Sequence, residues 1–209
     1  MKAMFIGLGV LGGLMVVGIG VWIYVVSNVE QPKYTIVIQD DIIEIRDYPA
    51  LVVAEVTRRG DRNSAVRAGF GPLAGYIFAK SRDGEAISMT APVTQTSAEA
   101  IEADTIDNVT VQVWFVRFIM PAKYTLETLP KSAGEDVRLL NIPSSRRAAI
   151  RFSGVATDGH IEVNESALRA WLDKRSIAIK SNPTYAYYND PFTPGPLRRN
   201  EVLFDVLMP

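Results

Sequence analysis

Few side chains in this sequence of 209 residues are equipped for covalent chemistry. It has no cysteine and one histidine, His160. Without cysteine there is no disulfide framework, thiolate nucleophile or zinc knuckle. One histidine is too few for metal sites of the two- or three-His kind. Acyl transfer needs a serine or threonine beside a base, and His160, in "TDGHIEV", is the one imidazole available. Asp158 and Glu162 flank it, but Asp-Gly-His is turn composition, so a surface turn is expected rather than a triad or a ligand. The acidic pairs Asp40-Asp41 and Glu135-Asp136 read as solvated loop charges. The sequence therefore offers no catalytic set and no metal-ligand set.

Binding chemistry is better represented. In "SAVRAGFGPLAGYIFAK", Ala68, Gly71, Gly75 and Ala79 fall three or four residues apart and make a nearly flat helical face. Such a face admits either a planar ligand or close packing on a sheet. Beside it, Arg67, Phe70, Ala74 and Ile77 form an apolar stripe ending in a cation. That combination suits an amphipathic anion, because a guanidinium binds carboxylates through two parallel hydrogen bonds. The second unusual stretch is "YYNDPFTPGPLRRNEV". Pro191, Pro194 and Pro196 stiffen it, and Tyr187, Tyr188 and Phe192 supply aromatic faces. Arg198 and Arg199 can neutralise an anion there, or hold the loop to Glu201 or to an exposed carbonyl.

Strand-like runs surround these stretches. "YTIVIQ", "IIEIRDY", "ALVVAEV", "VTVQVWFVRFIM", "RRAAIRF", "TYAYYN" and "EVLFDVL" are β-branched and aromatic, with stretches of period-two alternation. Val109, Val111, Val113 and Phe115 place one apolar face on the longest of them. Two segments carry helical spacing instead. One runs from about Ser64 to Lys80, with Val66, Phe70, Leu73, Ala74, Ile77 and Phe78 recurring and Pro72 in the middle to kink it. The other runs from about Glu165 to Arg175, with Asn164 as cap and Ala167, Leu168, Trp171 and Leu172 as its buried stripe. The order then repeats with a period near 100 residues, and Tyr48-Pro49 and Ile142-Pro143 each separate two strands. A duplicated strand–strand–helix–strand–strand unit is expected, giving one antiparallel sheet or open barrel with two helices against it.

The N-terminus has a different character. Met4 to Val26 is free of charge over 26 − 4 + 1 = 23 positions. As a helix this is roughly 34 Å long, enough for a hydrocarbon core of about 30 Å. No cleavage site is evident at "VVSNVEQP", so residues 1–29 are expected to be an uncleaved transmembrane anchor and residues 30–209 one domain. Lys2 precedes the span and Glu30 is the first charge after it, which predicts a cytoplasmic N-terminus and a domain on the outer side. "GLGVLG" copies a dinucleotide fingerprint, but with only six residues before it no strand precedes; Gly9 and Gly13 instead mark a small-residue helix face. With 22 basic and 23 acidic residues, the chain has no basic field for nucleic acid.

The stretches "EIRDYPALVVAEV", "GFGPLAGYIFAK", "SMTAPVTQT", "VWFVRFIMP", "AAIRFSG", "ALRAWL" and "PFTPGPLRRNEV", in this order, resemble the SOUL haem-binding family across residues 34–207. The chain is thereby identified as a bacterial-type, membrane-anchored member. The resemblance implies an α+β fold, a distorted antiparallel β-barrel of two similar halves with one helix each, here preceded by a single transmembrane helix. It implies haem or another tetrapyrrole as ligand, held in a shallow apolar groove between the first helix and the loop before the last strand. Carried over by motif, the groove residues are Arg67, Phe70, Ala74 and Ile77 on the helix and Tyr187 and Phe192 on the loop side, with Arg67 placed for a propionate. The loop lysine of some members is matched by Pro194. The first-half histidine of certain members has no counterpart, since no histidine precedes His160. Weak ligation from Tyr76 or Met89 competes with a core role for both. The expected function is non-catalytic binding or buffering without histidine ligation. The alternatives are an enzyme acting on haem or another hydrophobic small molecule, and a membrane-tethered module for a peptide or lipid.

Overall fold

Ten strands pair into one antiparallel sheet. The computed structural model describes residues 29–98, 104–106, 109–132 and 134–207. The strands are β1 (Thr35–Asp40), β2 (Ile43–Tyr48), β3 (Leu51–Arg59), β4 (Val93–Ser97), β7 (Val113–Ile119), β8 (Arg138–Ile142), β9 (Ser145–Ser153), β10 (Ala178–Ile179), β11 (Thr184–Tyr187) and β12 (Arg199–Leu207). A separate hairpin joins β5 (Asp104–Ile106) to β6 (Val109–Val111). Helices α1 (Arg62–Ile77) and α2 (Asp158–Asp173) complete the fold, with one 3-10 turn at Gly195–Leu197. The apolar span Met4–Val26, expected as an anchor, lies outside the described residues; no helix among those is long and apolar enough to cross a membrane.

The chain is a doubled unit, β2–β3–α1–β4–β7 followed by β8–β9–α2–β11–β12. Pro49 and Pro143 open the two inter-strand turns, and 143 − 49 = 94; Gly60 and Gly154, both at positive φ, close β3 and β9 at the same spacing of 94. The sheet order β1-β2-β9-β12-β11-β4-β7-β3-β8 has the same symmetry. From one end, after β1, it runs β2-β9-β12-β11; from the other it runs β8-β3-β7-β4. Registers match as well. Tyr48 faces Ser145 between β2 and β9, and shifts of 94 turn that pair into Ile142 facing Leu51, which is found between β8 and β3. Each half thus lends its first strand to the other half's second.

The expected barrel is instead an open sheet. β1 pairs only with β2 and β8 only with β3 among the described residues, so the ladder ends at two edges rather than closing. A bulge between Ile36 and Ile38 interrupts the β1 ladder, a common way of ending strand addition at an edge. The start of the second helix also moves. α2 begins at Asp158, capped by Thr157, whose hydroxyl accepts from the His160 amide; "TDGHIEV" is therefore a first helical turn and not a surface turn. Ala167 is exposed and Ile161 takes its place in the buried stripe with Leu168 and Leu172. The run "VTVQVWFVRFIM" breaks at Gln112 into β6 and β7. Pro72 does lie inside α1. It cannot donate to the Ala68 carbonyl four residues back, and Arg58 Nε donates there at 3.2 Å.

Both helices pack on one face of the sheet. Leu73, Tyr76 and Ile77 of α1 meet Ala54, Val56, Val116 and Phe118; Ile161, Leu168 and Leu172 of α2 meet Ile43, Ile45, Ile150 and Phe204. By strand alternation Arg46, Tyr48, Glu201 and Leu203 face the other way. There Tyr48, Ala149, Ala186 and Leu203 form a smaller cluster, and Glu201 collects the ion pairs. Arg46 donates to its two oxygens at 2.7 and 3.0 Å, Arg199 Nη2 donates at 2.7 Å and the Tyr188 hydroxyl at 2.8 Å. Burial on its own would raise the Glu201 pKa, but the Arg46 and Arg199 guanidiniums hold it below the ordinary glutamate value. Its contribution to stability is therefore complete above about pH 4.5, the ordinary value, and is lost as pH falls from there through the lower folded-state value. Glu201→Gln is expected to cost about 3–5 kcal/mol, because it removes the buried carboxylate that Arg46 and Arg199 share and leaves Arg46 with Glu44 alone. Urea unfolding at pH 7 and pH 3.5 checks this: the gap between parent and variant should narrow at the lower pH.

Candidate functional site

α1 starts at a sound cap, with the Asp61 carboxylate accepting from the Ser64 amide at 2.9 Å. It comes close to the sheet at Gly69. A Cβ there would lie 2.8 Å from Val116 Cβ, nearer than side chains pack, so only glycine fits. Gly71 faces the other way, with nothing within 4 Å of where its Cβ would be. The small-residue face therefore does not pack on the sheet at that position; it opens outward.

The predicted residues divide accordingly. Arg67 is exposed and makes no side-chain hydrogen bond or ion pair among the described residues. Phe70 is 43% exposed, its ring edge-on to Phe118 at 5.3 Å between centroids. Ala74 is half-buried against the core beneath. Ile77 is different: at 1% exposure it belongs to that core, since it shares the inward face of α1 with Leu73 and Tyr76. Phe78, 44% exposed, is the apolar side chain presented outward next to it. Tyr187 is half-buried on β11. Its hydroxyl accepts from Arg62 Nη1 at 2.7 Å and donates to Gln95 Oε1 at 3.2 Å, so it presents ring and not hydroxyl. Phe192 is 88% exposed on the proline-rich loop and joins none of the core clusters.

That loop is held internally. The Asp190 carboxylate accepts from the Phe192 and Thr193 amides at 2.7 and 3.0 Å. Arg198 donates to the carbonyls of Thr193 and Pro191, and Arg199 to Glu201. Both arginines thus brace the loop, the second of the two roles open to them. The loop rests on the segment before α2: Gly154 N–H donates to Gly195 O at 3.0 Å, and Asn200 Nδ2 to Gly154 O at 2.9 Å. Arg62, Gln95 and Asp158 join α1 to this region; no sequence pattern singled out the first two, and Asp158 stood out only as a neighbour of His160. A signal was present in Arg62, a cation opening a helix against its dipole.

"SMTAPVTQT" leads into β4 at the centre of the sheet, after a cis peptide between Ala91 and Pro92. The Thr90 hydroxyl donates to the Ile119 carbonyl, and Thr96 meets Thr184 across the boundary between the halves at 2.8 Å. Gln95 is buried on the helix side and donates to the Arg62 carbonyl at 2.8 Å. The stretch is scaffold with one polar contact to the base of α1.

Among the described residues, no cluster of three or more His, Cys, Asp or Glu could hold a metal. Tyr76 is fully buried with its hydroxyl on the Pro130 carbonyl at 2.7 Å, and Met89 packs in the same core. His160 Nδ1 lies 2.9 Å from the Val155 carbonyl, which can only accept, so Nδ1 carries the proton. Two hollows lie elsewhere. One, of about 470 Å³, is lined by Asp47, Tyr48 and Arg146 at the end of the β2–β9 pair; the other, about 20 Å³, lies on the face away from the helices beside Leu203 and Tyr188. Neither touches any of the six predicted residues.

The SOUL heme-binding protein family model matches residues 29–205. The chain belongs to the SOUL haem-binding family. No curated protein matches it. Among solved structures, it resembles the EcmrR C-terminal domain with a TM-score of 0.58 at 12% identity, covering 84% of this chain and 99% of that one. A hydrolase encoded by lin2189 from Listeria innocua superposes with a TM-score of 0.54 at 14% identity, covering 79% and 91%. An uncharacterized conserved protein from Listeria innocua gives 0.56 at 14%, covering 79% and 92%. At these identities the likeness is one of fold. SOUL membership makes a tetrapyrrole the small-molecule partner against which the exposed α1 face is to be judged.

Since Arg67 has no partner among the described residues, Arg67→Ala should leave the urea midpoint of unfolding unchanged; a clear drop would give the residue a structural role.

Proposed function

We propose that this SOUL protein binds or buffers haem or a related tetrapyrrole without catalysis. The ligand lies in a shallow groove between α1 and the loop before β12, gripped by its faces and carboxylates with no histidine on the iron. One observation carries this reading: Arg67, unlike most of the other arginines, is uncommitted among the described residues, and it stands at the head of an exposed apolar stripe. Its guanidinium receives a propionate. Phe70 and Ala74 line the stripe, and the openness around Gly71 lets a flat ring approach the helix backbone. Tyr187 and Phe192 contribute ring faces from the loop side. Ile77 supports the helix from beneath. Affinity comes mainly from covered apolar area, at about 25 cal/mol per Å², less association costs of at least ~4 kcal/mol. The span Met4–Val26 anchors the protein as a single-pass membrane protein, with its N-terminus in the cytoplasm and the domain on the outer side.

The test is a titration of the full chain in detergent micelles with haemin and with metal-free protoporphyrin IX, followed by absorbance and tryptophan fluorescence. Both should bind one-to-one with affinities within about threefold of each other. Arg67→Ala should weaken both about tenfold, the low end of a hydrogen bond to a charged group. Haemin binding alone, with a sharp Soret shift, would show an iron ligand and defeat the face-gripping reading.

A further inference from the structure

We propose that Arg62 is the positioning residue of this site: its guanidinium fixes the loop at 189–198 in relation to α1. The proposal rests on the tetrapyrrole reading for its ligand, but its structural half stands apart from that reading.

Arg62 is the first residue of α1 and is 7% exposed. A buried cation at a helix N-terminus opposes the helix dipole, so something other than α1 must account for it. Its donors fan out to three places. Nε and Nη2 reach Asp158 Oδ1 at 2.8 and 2.7 Å, on the first residue of α2. Nη2 also donates to the Ala156 carbonyl at 2.9 Å. Nη1 donates to the Tyr187 hydroxyl at 2.7 Å, at the end of the strand that runs into the loop. The backbone is engaged as well, because Arg62 O accepts from Gln95 Nε2 and Gln95 Oε1 accepts from the same Tyr187 hydroxyl.

Those three places are the supports of the loop. Tyr187 leads into it, through Asn189, whose side chain accepts from the Arg199 amide. Ala156 and Asp158 continue from Gly154, on which Gly195 of the loop rests. One fork-shaped group on α1 thereby holds both the entry to the loop and the shelf beneath it. Five residues further along the same helix stands Arg67. A lysine keeps the charge but has one nitrogen, and cannot hold three directions at once.

The experiment is hydrogen exchange by NMR on the unliganded full chain in micelles, with the protoporphyrin titration run on the same variants. In Arg62→Lys the amides of Phe192, Leu197 and Arg198 should exchange about tenfold faster or more, while the core amides of β7 keep their rates. Tyr187→Phe, which keeps the ring and removes the hydroxyl, should show the same effect at a smaller size and guards against failure of the first variant to fold. Arg67→Ala should leave loop exchange unchanged. Protoporphyrin should leave Arg62→Lys about tenfold faster, although the substituted residue does not touch it. Unchanged loop exchange in both Arg62→Lys and Tyr187→Phe overturns the proposal, whatever binds. Faster loop exchange with unaltered protoporphyrin release also overturns it, since Arg62 would then brace the loop without positioning a site. If the parent chain binds no protoporphyrin, the tetrapyrrole reading falls, and the exchange rates alone decide whether Arg62 fixes the loop.

Discussion

Neither half of this chain completes a sheet of its own. The first strand of each half hydrogen-bonds to the second strand of the other, in matching registers, so the sheet beneath the helices is completed by pairing across about a hundred residues. Long-range pairing of this kind has to be specified, because a one-residue slip turns the buried face of a strand to solvent. The Arg46–Glu201 pair, 155 residues apart, supplies part of that specification. A buried carboxylate held by two guanidiniums and a tyrosine hydroxyl has one satisfactory register, and a slipped one leaves buried charge unpaired. The second buried glutamate, Glu55, is held similarly by Arg117 and Arg138 on neighbouring strands. The face away from the helices thus carries these two carboxylate-centred clusters, and the helix face carries the larger apolar cores.

This division leaves the helix face free to build a site. α1 is drawn onto the sheet at Gly69, where only a glycine fits, and its outer side is left with Arg67, Phe70, Gly71 and Ala74. The relation between halves that pairs β4 with β11 also brings Tyr187 within reach of Arg62. The proline-rich loop has its own internal frame in Asp190 and Arg198, so it needs only a few points of attachment to take up a fixed position. Packing, symmetry and loop chemistry together leave Arg67 and Phe70 of α1 and Phe192 of the loop exposed, and the proposed site for a flat amphipathic molecule uses them.

Much of the fold was legible in the sequence because its signals are local. Alternation marked the strands, and the two apolar–proline pairs marked equivalent turns. The start of α2 was not legible, since Thr-Asp-Gly-His reads as a turn until Ile161 is recognised as the first buried position of a stripe continued by Leu168 and Leu172. Nor was the orientation of α1: residue type alone does not say that Ile77 faces the core while Phe70 and Phe78 face out, and the decisive contact is made by a glycine. Openness of the sheet depends on which strands fail to pair, a property no single stretch encodes. Arg62 was missed for the same reason, its partners lying 94 and 125 residues away.

The most direct test of a tetrapyrrole on the outer face of α1 is where the ring current falls. Backbone NMR of the full chain in micelles, with and without protoporphyrin IX, reports it residue by residue. The largest shifts should appear at Arg67, Phe70, Gly71 and Ala74, with a second group at Phe192. Largest shifts at Ala149 and Ala186, on the face away from the helices, would contradict the account.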